Sequence, residues 1–223
     1  MISIIVPTYN EETTIKKLLN SFSYNGSFEI IVADAGSSDR TKEFAEGYPV
    51  KFIECRKNRS LQMNEAVKVA SGGIFLFLHC DCRLENGSLE SIKEALNNGY
   101  IGGCLTHKIN SNKFIYRLIE ASGNIRAKLF RIFYGDQAIF SRRDTFFKLG
   151  GFAKVGLFED VIFSKKLKKQ GRTGILNKKV YTSPRRWEKQ GIIKTTLLYW
   201  LLTLGFLAGV STHLLEKMCS DIR

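Results

Sequence analysis

Proline is scarce in this sequence and never clustered, with three in 223 residues. No Pro-rich or repetitive stretch marks a linker, so the chain reads as one large domain with a sizeable core. Cysteine forms no framework: Cys55, Cys80, Cys82, Cys104 and Cys219 are odd in number and irregularly spaced. They read as reduced thiols and point to a cytoplasmic setting. The amino terminus, MISIIVPTYNEE, lacks the basic segment and long apolar run of a signal peptide and reads as a first strand. Acids are outnumbered, 21 against 34 Lys and Arg, for a formal charge of +13. That excess favours anionic partners such as nucleotide diphosphates, nucleic acid or an acidic membrane face.

The acid deficit is sharpest from Lys165 to Lys194, where Glu188 stands alone among bases that include Lys168, Arg172, Lys178, Arg185 and Arg186. From Thr195 to Leu215 Asp, Glu, Lys and Arg are all missing. At about 1.5 Å per residue a helix here could just reach across a bilayer's hydrocarbon. Thr195, Thr196, Thr203, Ser211, Thr212 and His213 shorten its apolar run, so a packing helix or one lying on an anionic membrane face is favoured over a span.

What is present is an alternation. Ile4–Val6, Phe28–Ala33, Val50–Ile53 and Ile74–Leu78 are short runs rich in Ile, Val and Phe, as in strands buried on both faces. Ile15, Leu18, Leu19 and Phe22 lie at helical spacing between the first two. Thr41–Glu46, the stretch around Leu61–Ala70 and that around Leu89–Leu96 supply further helices. This order predicts an α/β fold, a mostly parallel sheet with helices on both faces. A long helix over Lys113–Phe133, a strand at Ala138–Ser141, a helix over Glu159–Lys169 and an apolar helical tail complete the pattern. The expected division is a nucleotide-binding half over 1–84, an acceptor half over 85–190 and the tail over 191–223.

Open α/β sheets bind ligands beyond the carboxyl ends of their strands. Three such ends are polar: Pro7-Thr8-Tyr9-Asn10-Glu11, Asp34-Ala35-Gly36-Ser37-Ser38-Asp39 and His79-Cys80-Asp81. Asp34 can accept the imide N–H of a uracil or the ring N–H of a guanine, or it can cap a turn, a role for which Ser37, Ser38 and Asp39 are better suited. Glu11 either contacts a nucleotide or favours the following helix N-terminus.

The motifs PTYNE and DAGSSDRT, with an aspartate after FLFLH, resemble the nucleotide-sugar-binding half of inverting family two glycosyltransferases with the GT-A fold. The resemblance runs from Ile2 to about Arg186. LH-x-D, GDQAIF and S-x-RRW are similar to those of a compact bacterial subgroup. It implies donor contacts at Pro7, Tyr9, Glu11, Asp34, Arg59, Asn64, His79 and Asp81, with a UDP-sugar as the donor class. Asp81 takes the place of the last carboxylate of the family's Asp-x-Asp, which binds Mg²⁺ or Mn²⁺ on the diphosphate, while His79 replaces the first. Asp160, in GLFED, takes the place of the general base, beside Glu159; as a bare residue it could equally favour a helix N-terminus. In GDQAIF, Asp136 and Gln137 imply acceptor contacts; as a bare residue Asp136 could equally hold a turn. Arg185, Arg186 and Trp187 resemble Q-x-x-R-W with Ser183 in place of Gln, and imply a grip on the leaving diphosphate or a basic-aromatic collar beside the tail.

A zinc centre at His79-Cys80-Asp81-Cys82 would want a second Cys or His pair at regular spacing, and an extended chain would turn both cysteines away from His79 and Asp81. Two other functions compete. A sugar-phosphate nucleotidyltransferase would carry a Gly-rich basic loop after the first strand, unlike Pro7–Glu12. A membrane-surface protein with a relic nucleotide site would explain His79 and the tail but not the joint retention of Asp34, Asp81 and Asp160. Charge alone does not argue for nucleic acid, and none is expected as a partner. The sequence names neither sugar nor acceptor, and gives no oligomeric state.

Overall fold

The computed structural model describes residues 1–22 and 28–219. The four apolar runs are four strands: β1 (Ile2–Thr8), β2 (Phe28–Asp34), β3 (Lys51–Glu54) and β4 (Ile74–Phe77). All pair in parallel, β1 lying between β2 and β4. Four more strands extend the sheet: β5 (Cys82–Leu84), β6 (Tyr100–Ile109), β7 (Phe140–Arg142) and β8 (Arg172–Thr182). The order is β3-β2-β1-β4-β7-β6-β8-β5, with β7 antiparallel to both β4 and β6.

Strand periodicity sorts the core into two layers. Ile2, Ile4 and Val6 of β1 pack with α1 (Glu12–Asn20) through Ile15, Leu18 and Leu19, and with α4 (Ser88–Asn97) through Ile92 and Leu96. Ile5, with Phe75 and Phe77 of β4, faces the other side. There it meets α3 (Arg59–Val69) and the rings of Phe146, Phe152 and Phe163. Each such buried side chain contributes about 1.5–3 kcal/mol. The short helix α2 (Thr41–Glu46) lies where the sequence places it. The longer α5 (Phe114–Phe130) ends three residues before the expected Phe133, at Arg131 in left-handed conformation (φ 54°).

Three strands lie outside the expectation: the short β5, β6, and β8, which falls inside the basic run. β8 is a long strand next to the sheet edge, parallel to β6 with register shifts, and Thr173 and Val180 on it are buried while Lys178 and Lys179 extend outward. The pair approaches so closely that a Cβ on Gly103 would lie 2.1 Å from the carbonyl oxygen of Gly174.

The remaining helices are α6 (Arg143–Lys148), α7 (Glu159–Leu167), α8 (Arg185–Gln190), α9 (Ile192–Leu207) and α10 (Thr212–Met218). The apolar stretch expected as one helix is therefore two, broken at Gly209 (φ 86°). Among the described residues no helix is long and apolar enough to cross a membrane. Leu198, Tyr199, Leu202 and Phe206 of α9 pack onto Phe158 and Val161 at the start of α7.

Candidate active site

Because β1, β2 and β4 run parallel, their carboxyl ends open on one edge of the sheet. Asp34 closes β2 and is almost fully buried. Thr8 Oγ1 and Ser37 Oγ donate to its Oδ1 (2.9 and 2.6 Å), and the Ser37 N–H donates to its Oδ2 (2.7 Å). It thus caps its own loop, and of about four acceptor sites on a carboxylate one remains. Gln62 of α3 fixes the same edge from below, donating to the carbonyls of Thr8 and Ala33. Asn10 sits in left-handed conformation (φ 52°) and links the β1 and β2 tips, accepting from Ser38 N–H and donating its own N–H to Ser37 Oγ. Asp39 joins the helices beyond them by accepting the N–H groups of Glu12 and Thr41. Pro7 lies within β1 beside Ala33, and Tyr9 carries Lys57 Nζ 4.0 Å from its ring centroid.

The tip of β4 is a tight turn. The strand ends at Phe77, and Cys82 N–H returns to the carbonyl of His79, so the extended alternation expected here does not hold. Both cysteines nevertheless turn inward, where Cys80 and Cys82 join the core and burial pushes both thiols up. They are poor zinc ligands, which must be thiolates. Among the described residues no group of three or more His, Cys, Asp and Glu is arranged to hold a metal. Asp81 is half-buried, and its carboxyl is raised on balance, by burial above all and by Glu11, against the opposing Arg185 and Arg186. Arg185 Nε lies 3.3 Å from Asp81 Oδ2, and the same guanidinium makes a bidentate pair with Glu11 at 2.7 and 2.7 Å. Asp81 thus offers one hard oxygen ligand. That suits an ion such as Mg²⁺ or Mn²⁺, which takes most of its coordination from phosphate and water and uses one or two carboxylates.

Asp160 lies in the first turn of α7. Its Oδ2 accepts the Gly135 N–H and its Oδ1 accepts the Val161 N–H, both at 2.7 Å. Burial raises its carboxyl above an ordinary aspartate's; these two N–H groups and Arg59 oppose that, and Asp136 adds to it. His79 stands alongside, since a Cβ on Gly135 would lie 2.7 Å from His79 Nε2 and 3.6 Å from Asp160 Oδ2. The fold therefore brings the β4 tip and the start of α7 together across Gly135, where a larger residue would have to displace the His79 ring.

Several expected site residues do other work. Asn64 spends both ends of its amide on the backbone of Phe152, at 2.9 and 3.0 Å, and so holds a loop rather than facing a donor. Gln137 is buried, accepting from Tyr134 N–H and Arg126. Trp187 is not a surface platform; it packs with Ile109 and Tyr116, its ring centroid 6.0 Å from that of Tyr116. Glu159 is buried and pairs with Arg59 at 3.6 Å, which places Arg59 on the Asp160 side of the cleft. Asp136 faces His107, 3.8 Å away. Sequence reasoning missed His107, a buried residue of β6 that meets Thr182 Oγ1 at 2.8 Å, and Tyr199, whose hydroxyl accepts from Arg186. A histidine inside an unrecognised strand and a tyrosine in an apolar tail carry no motif.

Residues 3–156 match the family model "Glycosyl transferase family 2". A dolichol-phosphate mannosyltransferase of Pyrococcus furiosus is 33% identical over 107 residues, 44% of this chain and 30% of that one. A GalNAc(5)-diNAcBac-PP-undecaprenol beta-1,3-glucosyltransferase of Campylobacter jejuni is 30% identical over 145 residues, 58% of this chain and 47% of its own. The chain thus spans less than half the length of these curated relatives. Residues 1–349 of Staphylococcus aureus TarS in complex with UDP-GlcNAc superpose with a TM-score of 0.65 at 20% identity, over 82% of this chain and 58% of that one. The mannosyltransferase PcManGT of Pyrobaculum calidifontis, in complex with GDP-Man and Mn²⁺, gives 0.64 at 24%, over 81% of this chain and 56% of that one. These likenesses establish the GT-A type of α/β fold, and with more than half of its length matched by the family model the chain belongs to glycosyl transferase family 2.

Proposed function

We propose that this protein transfers a sugar from a nucleoside diphosphate sugar to an acceptor hydroxyl, with inversion, using Asp160 as general base. One observation carries the reading. The Asp160 carboxylate is fixed by two N–H groups and lies beside His79, two residues from Asp81, on the edge that also carries Asp34. The curated relatives named above are, by their names, a dolichol-phosphate mannosyltransferase and a glucosyltransferase of a glycan on undecaprenol diphosphate. A lipid-linked acceptor at a membrane face is the matching proposal here.

In this reading Asp34 and the loop after it hold the nucleobase, with Pro7, Tyr9 and Glu11 lining the same end. The acceptor hydroxyl donates to a free lone pair of Asp160. As its oxygen bonds to the anomeric carbon, the bond from that carbon to the diphosphate breaks. The proton passes to Asp160, and the departing electron pair rests on the diphosphate oxygen. A base so placed contributes about 10²–10⁴-fold. Arg185 and Arg186 face the leaving diphosphate, and Tyr199 holds Arg186 in place. Asp81 would hold a Mg²⁺ or Mn²⁺ ion, which when bound neutralises diphosphate charge. Asp136 and His107 line the acceptor side.

The test is a calorimetric titration of UDP and GDP with and without Mn²⁺, followed by turnover against a panel of donors. We expect metal-dependent diphosphate binding that Asp81→Ala removes. Asp160→Asn should bind donor like wild type and turn over about 10²–10⁴-fold more slowly. Equal metal-dependent affinity in Asp81→Ala, or near-normal turnover in Asp160→Asn, would overturn the assignments.

A further inference from the structure

The outer face of α9 is apolar for four turns, and none of the described residues covers it. Ile193, Leu197, Trp200, Leu201, Leu204 and Leu207 are all more than half exposed, Trp200 to 57%. Their spacing places them on one side of the helix, opposite Leu198, Leu202 and Phe206. A second exposed stripe runs along α5: Phe114, Leu118, Ile125 and Leu129. The two helices are tied at both ends. Tyr116 and Ile119 of α5 meet Ile192 of α9 through Trp187, and Tyr134, just past α5, hydrogen-bonds Thr203 of α9 at 3.1 Å. An apolar surface of this extent on one side of a protein marks a docking site.

Charge identifies the occupant. α9 carries no acid, and the only acid of α5, Glu120, is buried against the Ile109 N–H and Arg117. Exposed bases rim the two stripes: Lys113, Lys128 and Arg131 at the ends of α5, Lys194 in the first turn of α9, and Lys189 on α8, where Glu188 is exposed beside it. The exposed acids nearest in sequence, Glu188 and Glu216, lie outside α9 on α8 and α10. A second copy of the chain would bring two such basic rims together. An anionic bilayer would meet them with opposite charge.

We infer that the α5–α9 face is an in-plane membrane-docking surface for a bilayer rich in anionic headgroups. α9 does not span: its 16 residues reach about 24 Å against about 30 Å of hydrocarbon, and its inner side is packed on the protein. It lies in the interface with Trp200 at headgroup level, with packing on the protein taking the place of an amphipathic surface helix's polar face. The placement also serves the site. Phe206 of α9 stacks on Phe158, 4.6 Å between centroids, and Phe158 immediately precedes Glu159 and Asp160. Docking would bring the base to the bilayer surface, where a lipid-linked acceptor presents its hydroxyl. As an account of acceptor access the inference rests on the proposed transfer reaction; as a surface it stands on the exposed residues alone.

The experiment is co-sedimentation of the full chain with vesicles of phosphatidylcholine alone and of phosphatidylcholine mixed with phosphatidylglycerol. We expect binding to the mixed vesicles that weakens with salt, and much weaker binding to phosphatidylcholine. The double variant Leu201→Ser with Leu204→Ser should lose at least about tenfold in affinity. Lys189→Glu with Lys194→Glu should lose affinity only for the mixed vesicles. Circular dichroism and the UDP–Mn²⁺ titration check that each variant is folded. Absent binding by the wild type, or unchanged binding by both double variants, would overturn the inference. So would a concentration-dependent dimer that Leu201→Ser with Leu204→Ser abolishes, because the face would then belong to a second copy. Vesicle binding without metal-dependent nucleotide binding would overturn the transfer reaction instead and leave the surface standing.

Discussion

At the scale of single residues the informative feature is how the carboxylates are tuned. Asp160 must be deprotonated to accept a proton, so turnover is present above its pKa and lost as pH falls through it. Burial raises that pKa, so the acid limb of kcat/KM should begin at higher pH than an ordinary aspartate would give. Asp136 adds to the rise, so Asp136→Asn should move the limb to lower pH; Arg59 opposes it, so Arg59→Ala should move the limb higher. A pH–rate series on the three proteins checks both signs, and a limb that stays fixed in both variants would remove Asp160 from the chemistry. Arg185 makes a second residue-scale prediction. Its guanidinium lies against Asp81 and Glu11, which raise its pKa, and so competes with any divalent cation for Asp81. Arg185→Ala should therefore bind Mn²⁺ alone more tightly, by about 3- to 10-fold for a partly exposed pair, while binding UDP–Mn²⁺ less tightly. Electron paramagnetic resonance of free Mn²⁺ reads the first effect directly. Asp34 and Asp81 stand out in the sequence because they follow recognisable apolar strands, whereas Asp160 is singled out only by the resemblance of GLFED and as a bare residue reads as a helix N-terminal acid. The Arg185 bridge to Glu11 was not legible there, because the partners are 174 residues apart and no local pattern joins them.

At the scale of elements, α9 shows why periodicity alone could not decide its place. Its stretch is apolar on every side, so no polar face marks which side is buried. The structure separates neighbours: Leu202 is sealed against Phe158 and Val161, whereas Leu201 is 56% exposed. Leu202→Ala should cost about 2–4 kcal/mol of unfolding free energy, since it removes a buried side chain and leaves a cavity. Leu201→Ser should cost no more than about 0.5 kcal/mol. Chemical denaturation of both variants distinguishes them, and equal losses would mean that α9 is not packed as described. The missed strands have a different cause. YIGGCLTHKI and RTGILNKKVYT mix glycine, histidine and lysine into the apolar pattern. Gly103 is there because β6 and β8 nearly touch, and the lysines of β8 reach out to the surface. Composition read the second of these as a basic run, and only its pairing with β6 and β5 makes it a strand. The four parallel strands were readable because burial on both faces writes an unbroken run of Ile, Val and Phe.

For the whole molecule the question is whether the two halves expected from the motifs are separate bodies. The sheet argues that they are one. β4, which leads into the turn carrying His79 and Asp81, pairs with β7, and β7 pairs with β6, so hydrogen bonding passes from the first four strands to β6 and β8 without a gap. β5 follows directly on Asp81, yet it pairs with β8 at the far edge of the sheet, next to Arg185. Unfolding either half alone would break the β4–β7 ladder and strip the edge from the other. Both tryptophans, Trp187 and Trp200, lie in the last forty residues, so their fluorescence reports on the acceptor side and tail alone. Far-UV circular dichroism reports on every strand and helix. The two signals should therefore trace one coincident transition in urea. UDP with Mn²⁺ at about a hundred times its dissociation constant should shift both by the same amount, about 2.7 kcal/mol, although the nucleotide contacts the half without tryptophan. A fluorescence transition that precedes the dichroism, or that ignores the nucleotide, would show that the sheet does not couple the halves. Asp160 would then be held by the tail and its own helix, not by the strands that carry Asp34 and Asp81.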